Sequence, residues 1–303
     1  MIQTNTSPIQ EATLSQVLQK LRWKTIKLTY QVMEDGRLPR QKASGLRGML
    51  GHVLMEKAPD LYEAIFEVKN VWEHPMGRRY RDICSPYIIS VPDLRKDFRK
   101  GGQLDVYLTL IGQAENHFPR LLGLIQDWQG RGIGKEHIPL KLTAMNMMQP
   151  YTGIPVKEPF RLELYFRTPL VVKTEDHSMA AVTLPLLVHR MAERMAILSH
   201  FHCGSELITD FEDYKELAAK AIWAEMDLRR VYWSRYSTRQ AQASQVGGWV
   251  GKLAFDEVDT RLLPLFYLAK HLHLGKCTTW GMGRINYELT PLPVTADYLL
   301  EQL

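Results

Sequence analysis

The feature that most constrains the fold of this chain is a repeated order of secondary-structure elements. Residues 25–33 alternate apolar and polar side chains, as a half-buried strand does. A helix is predicted from about Ser44, because apolar residues recur at i, i+3, i+4, i+7 and i+8 between Leu46 and Leu54. The pattern continues with a short strand near Val71, a strand at 104–110, a helix at 118–125 and a strand at 138–142. The order is therefore strand, helix, strand, strand, helix, strand.

The same order returns after a loop at residues 149–153. The predicted elements are a strand at 160–166, a helix at 184–198, an extra helical piece at 214–223, strands at 231–236 and 249–255, a helix at 262–272 and a strand at 284–289. We therefore predict an α+β fold of two tandem ferredoxin-like (βαββαβ, RRM-like) domains, over residues 1–150 and 151–303. This architecture hosts many activities, so the function has to be argued from a site.

Composition limits the class of protein. The 303 residues have a normal apolar content and a net charge of +5, which permits a polyanionic partner without requiring one. No apolar run approaches the roughly 20 residues that span a bilayer, and the polar N-terminus does not resemble a signal peptide. Three widely spaced cysteines fit a reducing cytoplasm, where we expect the protein to be located. No membrane partner is expected.

A glycine-rich loop separates the last predicted helix from the last predicted strand. Gly275 follows the apolar stripe of the helix, where a C-cap favours a positive φ. Gly281 and Gly283 lack side chains, so that a backbone, their own or that of a ligand, can come close. The cations and the aromatic ring of the loop are Lys276, Trp280 and Arg284. We interpret the loop as a cradle for an RNA phosphate backbone, with a tight helix-to-strand turn as the alternative.

The loop also carries a family resemblance. The spacing Gly-x₅-Gly-x-Gly before a C-terminal strand is similar to the signature of the RAMP superfamily of CRISPR-associated RNA-binding proteins. The fuller match is to its repeat-processing endoribonucleases, the Cas6 family. One subfamily has Leu-His-Val-Gly-Lys and then Gly-x-Gly-Arg, which residues 272–276 and 281–284 resemble. Many other members have glycine at the position of His273. Further similar segments, which extend the match from about residue 40 to the C-terminus, are 45–52, 109–112, 168–170, 235–240 and 247–248.

The resemblance implies RNA cleavage by the 2′-hydroxyl of the RNA itself, without a metal ion, giving a 2′,3′-cyclic phosphate and a 5′-hydroxyl. Histidine suits the proton transfers of such a reaction. His52 is the first candidate, because it points away from the apolar stripe of its helix, with Gly48 one turn and Gly45 two turns earlier to let a substrate approach. The family often has a catalytic histidine in or near the first helix. The alternative is a surface histidine beside glycines that serve helix packing.

The other candidate residues are less specific. His273 and Lys276 form the second catalytic set, since they adjoin the glycine-rich loop and a cation would stabilise the phosphorane; the alternative for His273 is packing at a helix end. Arg47 could hold a phosphate or make a helix contact. The cations and the aromatic ring of residues 235–240 could bind RNA; alternatively, the segment is a solvated strand end. Those RNA-binding candidates are Arg235, Tyr236 and Arg239.

Together with these residues, the family resemblance implies an endoribonuclease that binds CRISPR repeat RNA and processes precursor transcripts into guide RNAs. The alternative is a non-catalytic RAMP subunit that binds guide RNA, with other subunits, in a CRISPR effector complex. A small-molecule enzyme is disfavoured, because we find no cofactor motif or carboxylate pair. No metal or cofactor is expected, since His200 and His202, two residues apart, would point to opposite sides of a helix. Met145, Met147 and Met148 are predicted to lie in the core.

Overall fold

The structure of the chain is a computed structural model. It describes residues 13–67, 84–126, 132–134, 136–148, 160–172, 182–208, 210–237 and 242–292, and for residues 234–237 and 242–244 it describes the backbone. The predicted strand near Val71 and the proposed domain boundary at 150/151 lie outside these residues.

The N-terminal half forms a four-stranded antiparallel sheet covered on one face by helices. Its strands are β1 (Trp23–Val32), β2 (Gly36–Arg37), β3 (Tyr87–Ser90), β4 (Asp97–Phe98), β5 (Gln103–Ile111) and β6 (Leu140–Met148). Its helices are α1 (Leu14–Lys20), α2 (Lys42–Lys57), α3 (Pro59–Ile65) and α4 (Phe118–Ile125). The sheet order is β3-β5-β1-β6, and β2 pairs with β4 separately. The predicted alternation in β1 buries Ile26, Leu28, Tyr30 and Val32 in the core shared with α2 and α4.

The C-terminal half repeats this plan. Its strands are β7 (Phe160–Leu170), β8 (Ile222–Ser237), β9 (Gln242–Asp256) and β10 (Ile285–Pro291). Its helices are α5 (Leu184–Cys203), α6 (Glu212–Ala219) and α7 (Leu263–Leu272). The sheet order is β10-β7-β9-β8, which is the ferredoxin-like order that the first sheet also shows. The prediction of an α+β fold with two ferredoxin-like units is confirmed.

The buried residues form two cores, and these cores do not coincide with the two sheets. One core holds most of the buried apolar residues of β1, α2, β5 and α4. The other combines the C-terminal half with Leu14, Val17 and Leu21 from the α1 region and with Ile88 and Ile111 from the first sheet. Ser199 Oγ on α5 donates a hydrogen bond to the Val17 carbonyl at 2.9 Å. Helix α1 is therefore packed into the C-terminal core.

Two details of the sequence prediction were wrong. Trp223 lies in β8, because the helical piece before it ends at Ala219. The methionines of β6 are not core residues: Met145, Met147 and Met148 are 41%, 49% and 45% exposed. They lie on the edge strand of the first sheet, where alternating burial ends after Leu140. Within the described ranges, no helix has the length and apolar character needed to cross a bilayer.

Candidate nucleic-acid interface

A cleft of about 1820 Å³ lies between the two halves of the molecule. One wall is the outward face of α2, from which residues at i, i+3, i+4, i+7, i+8 and i+11 line the cleft. These are Gln41, Ser44, Gly45, Gly48, Met49 and His52. The opposite wall is formed by parts of β7, β8 and β9, and segments around residues 37–40, 94–96, 132–134 and 136–137 close the ends. The predicted helix thus places His52 in the cleft between the two halves of the molecule.

His52 and the two glycines before it share an open surface. His52 is exposed, and a Cβ atom built on Gly45 or Gly48 would meet nothing within 4 Å. Packing within the described protein therefore does not require glycine at either position, although each glycine costs a helix about 1 kcal/mol relative to alanine. Gly51 differs, because its Cβ would lie 3.4 Å from the Phe66 ring. The glycines at 45 and 48 leave the helix backbone accessible from the cleft.

The cleft is strongly cationic. Among its described lining residues, seven lysines and arginines accompany three carboxylates, an excess of four positive charges in a chain whose net charge is +5. The cations are Arg37, Arg40, Lys96, Arg167, Arg229, Arg230 and Lys252. Such a concentration of one sign in a concave surface attracts a polyanion.

Acidic side chains neutralise part of the C-terminal wall. Lys252 Nζ lies 2.6 Å from Glu225 and 3.3 Å from Glu163, and Arg161 lies 3.4 Å from Asp256 and 3.5 Å from Glu225. In the described part of the chain, Arg167, Arg229 and Arg230 have no carboxylate partner. The end of the sheet that carries these three arginines is therefore the part that favours a phosphate backbone.

Sequence reasoning missed most of this wall. Arg229, Arg230 and Tyr232 line the cleft but were not among the predicted site residues, and neither was His137. His137 has a positive φ of 49° and lies on the loop that closes one end. The two arginines at 229 and 230, followed closely by the two aromatic residues Tyr232 and Trp233, are a signal that could have identified the strand.

The glycine-rich loop does not line this cleft in the described structure. Its three glycines make room for the backbone of the protein itself. A Cβ atom on Gly275 would lie 2.4 Å from the Val171 carbonyl oxygen, and one on Gly281 would lie 2.9 Å from that of Ile89. One on Gly283 would lie 1.7 Å from the Leu274 oxygen. The sequence allowed either the backbone of the protein or that of a ligand to approach these glycines. In the structure, the backbone of the protein itself approaches them.

The loop instead supports the helix that carries His52. Gln41 Nε2, at the N-cap of α2, donates a hydrogen bond to the Trp280 carbonyl at 2.5 Å. Trp280, one of the candidate RNA-binding residues of the loop, is only 8% exposed, so its ring has no open face for an RNA base. Arg284 is half-buried, its guanidinium lies 5.9 Å from the Tyr107 ring, and burial lowers its pKa. Lys276 is exposed, and its backbone N–H donates to the Val171 carbonyl at 2.9 Å.

His273 is buried rather than presented to a substrate. It is 3% exposed, and its Nδ1 donates to the Met282 carbonyl at 3.0 Å. Burial lowers its pKa to about 3. This placement argues against a role in proton transfer and agrees with the alternative, packing at a helix end.

The other predicted residues have different outcomes. Arg47 points away from the cleft: its Nε donates to Tyr87 Oη at 2.7 Å and its guanidinium lies 5.4 Å from the Phe66 ring. This is the predicted alternative of a helix contact.

The backbone of residues 235 and 236 continues β8, while their side chains and Arg239 lie outside the described residues. His200 and His202 donate to the carbonyls of Ser205 and Cys84, at 2.6 and 2.7 Å.

Comparisons with protein families cover both halves. A family model described as an N-terminal domain matches residues 21–165. The model of the CRISPR-associated endoribonuclease Cas6 matches residues 164–285. A search of curated proteins gave no match.

Solved structures share the fold. A partial Cas6-RT-Cas1–Cas2 complex aligns with 14% identity and a TM-score of 0.59 over 90% of this chain, which spans 47% of that longer chain. Thermus thermophilus Cas6 aligns with 15% identity and a TM-score of 0.53, over 88% of this chain and 99% of that one. A Cas6-related protein from Pyrococcus furiosus aligns with 10% identity and a TM-score of 0.51 over the same shares, 88% and 99%. The Cas6 model therefore matches the C-terminal half of this chain, and the solved structures show that most of its length has the same fold.

Proposed function

We propose that this protein is a metal-independent endoribonuclease that binds CRISPR repeat RNA and cuts precursor transcripts into guide RNAs. The match of residues 164–285 to the Cas6 family model supports RNA processing in general. The Thermus thermophilus relative has also been solved as a product complex. The single observation that carries the proposal is the position of His52. This histidine is exposed on a helix face where two glycines leave the backbone accessible, and it lines a cationic cleft.

The cleft offers the groups that the reaction needs. We assign His52 as the base that removes the proton of the 2′-hydroxyl, so that this oxygen attacks the adjacent phosphorus and the bond to the 5′-oxygen breaks. The leaving oxygen takes a proton, and His137 in the same cleft is the candidate acid. Arg167 and Arg229 line the same cleft, and we propose them as the cations that stabilise the charged phosphorane. Lys276, on the loop outside the cleft, stays a prediction.

The deciding experiment is single-turnover cleavage of the cognate repeat RNA in EDTA. We expect cutting to a 2′,3′-cyclic phosphate product. His52→Ala should slow it about 10²- to 10⁴-fold with little loss of binding, as removal of a general base does. His117→Ala, which removes a histidine outside the described cleft lining, is the matched control and should cut at the wild-type rate.

Each remaining outcome has a defined meaning. Tight binding without cleavage by the wild-type protein would identify a non-catalytic RAMP subunit of an effector complex and reject the enzyme. Cleavage that is unchanged in His52→Ala would reject the assignment of the base and direct the search to His137 and Lys276.

A further inference from the structure

The tip of the C-terminal sheet extends beyond its neighbours as a two-stranded ribbon. Strands β8 and β9 pair from Ile222 and Asp256 to Ser237 and Gln242, whereas the pairing of β7 with β9 reaches only to Trp249. Among the described strands, none flanks the ribbon beyond that point. On this part of β8, the side chains of Val231, Tyr232 and Trp233 line the cleft.

Tyr232 is unusually exposed for an aromatic residue of a strand. At 60% exposure it is the most exposed of the large hydrophobic side chains that the structure describes. It lines the same cleft as His52. An aromatic ring left open inside a cationic cleft is the arrangement that nucleic-acid-binding proteins use to stack an unpaired base.

The ring is also held in place. Tyr232 pairs with Gly247 across the ribbon, and a Cβ atom on Gly247 would lie 2.8 Å from its Cε1 atom. Any side chain at 247 would therefore displace the ring, which lies against the glycine and presents its remaining surface to the cleft. A ring fixed in this way loses little conformational entropy when a base stacks on it.

Arg230 completes the surface. Its guanidinium lies 5.5 Å from the Tyr232 ring centroid and 5.8 Å from that of Trp249, within reach of both aromatic residues. A planar cation ordered by rings can stack on a base or contact its phosphate.

We propose that Tyr232 and Arg230 form a nucleobase-stacking subsite that holds one unpaired base of the RNA substrate in the cleft. This inference rests on the proposed function, because it assumes that the ligand of the cleft is RNA. The competing explanation is structural: a tyrosine across from a strand glycine can simply shield the backbone.

The experiment uses the full chain and a series of cognate repeat RNAs, each with one base replaced in turn by 2-aminopurine, whose fluorescence changes when it stacks on an aromatic ring. With the wild type and Tyr232→Phe, we expect a binding-dependent change at one or two neighbouring positions. Tyr232→Leu should lose that change and bind about 5- to 150-fold more weakly, the loss of one base–aromatic stack. Trp223→Leu is the matched control, since Trp223 is an exposed aromatic residue of the same strand outside the described cleft lining.

The outcomes separate the two explanations. If Tyr232→Leu binds as tightly as the wild type and keeps the fluorescence change while its unfolding midpoint falls, Tyr232 only shields Gly247 and the subsite is rejected. Binding without cleavage by the wild type would defeat the catalytic part of the proposed function and leave the stacking test readable. If the wild type does not bind RNA, both proposals fail.

Discussion

His273 occupies a backbone conformation that few residues other than glycine adopt. Its φ of 58° and ψ of 167° lie in a region that costs a residue with a side chain about 1–3 kcal/mol. The hydrogen bond from its buried ring to the Met282 carbonyl offsets part of this cost. The resemblance to a family in which many members have glycine here fits the same geometry. The sequence could show that the position was unusual, but not that the ring was turned inward.

The buried imidazole should make the protein sensitive to acid. Its folded pKa of about 3 is below the ordinary value of 6.5, so the unfolded chain binds the proton first and stability is lost as pH falls from 6.5 towards 3. Between pH 7 and pH 5 this histidine should account for about 2 kcal/mol of the loss. His273→Gln keeps a hydrogen-bond donor without titrating, so its unfolding free energy in urea should fall by about 2 kcal/mol less over this interval. Equal losses in the two proteins would contradict the prediction.

At the scale of single elements, long patterns were predictable and short ones were not. Strand β1 and helices α2 and α5 show clear apolar periods, and the structure contains them within a few residues of the predicted positions. Helices α1 and α3 have seven residues each and were missed, because two turns give too few apolar positions to define a period. The glycine-rich loop was found, but glycine spacing does not reveal whether the approaching backbone belongs to the protein or to a ligand.

On the face of α2 that lines the cleft, we expect Gly48→Ala to raise the stability of the protein and to slow RNA cleavage. Gly48→Ala should stabilise the protein by about 0.5–1 kcal/mol, because alanine favours a helix and the added methyl group meets no neighbour. The same methyl group stands where we place the RNA, so cleavage of repeat RNA should slow on the order of 10-fold.

The matched control is Gly123→Ala. Gly123 is an exposed glycine on α4, with nothing within 4 Å of a built Cβ, and it is not among the described cleft-lining residues. It should gain comparable stability in chemical denaturation and cut at the wild-type rate. If Gly48→Ala also cuts at the wild-type rate, the glycines of α2 do not clear a path for substrate.

At the scale of the whole molecule, the cleft and the mixed core depend on contacts that a linear pattern does not contain. His52 lines the same cleft as Arg229 and Tyr232 because the two halves of the molecule are packed together. The hydrogen bond from Gln41 to the Trp280 carbonyl is one of the contacts between them. Val17 and Ser199 touch although 182 positions separate them in the chain. Periodicity identifies which face of an element is apolar, but not which partner covers it.

The packing of α1 implies that the C-terminal half depends on the N-terminal end of the described chain. Val17 is 1% exposed and lies in the C-terminal core, so Val17→Ala should lower the unfolding free energy by about 2 kcal/mol. Its effect should appear far away in sequence, as faster amide hydrogen exchange in α5. Ser15→Ala, at an exposed position of the same helix, should leave exchange in α5 unchanged. If Val17→Ala accelerates exchange only within α1, that helix is peripheral and the C-terminal half is stable without it.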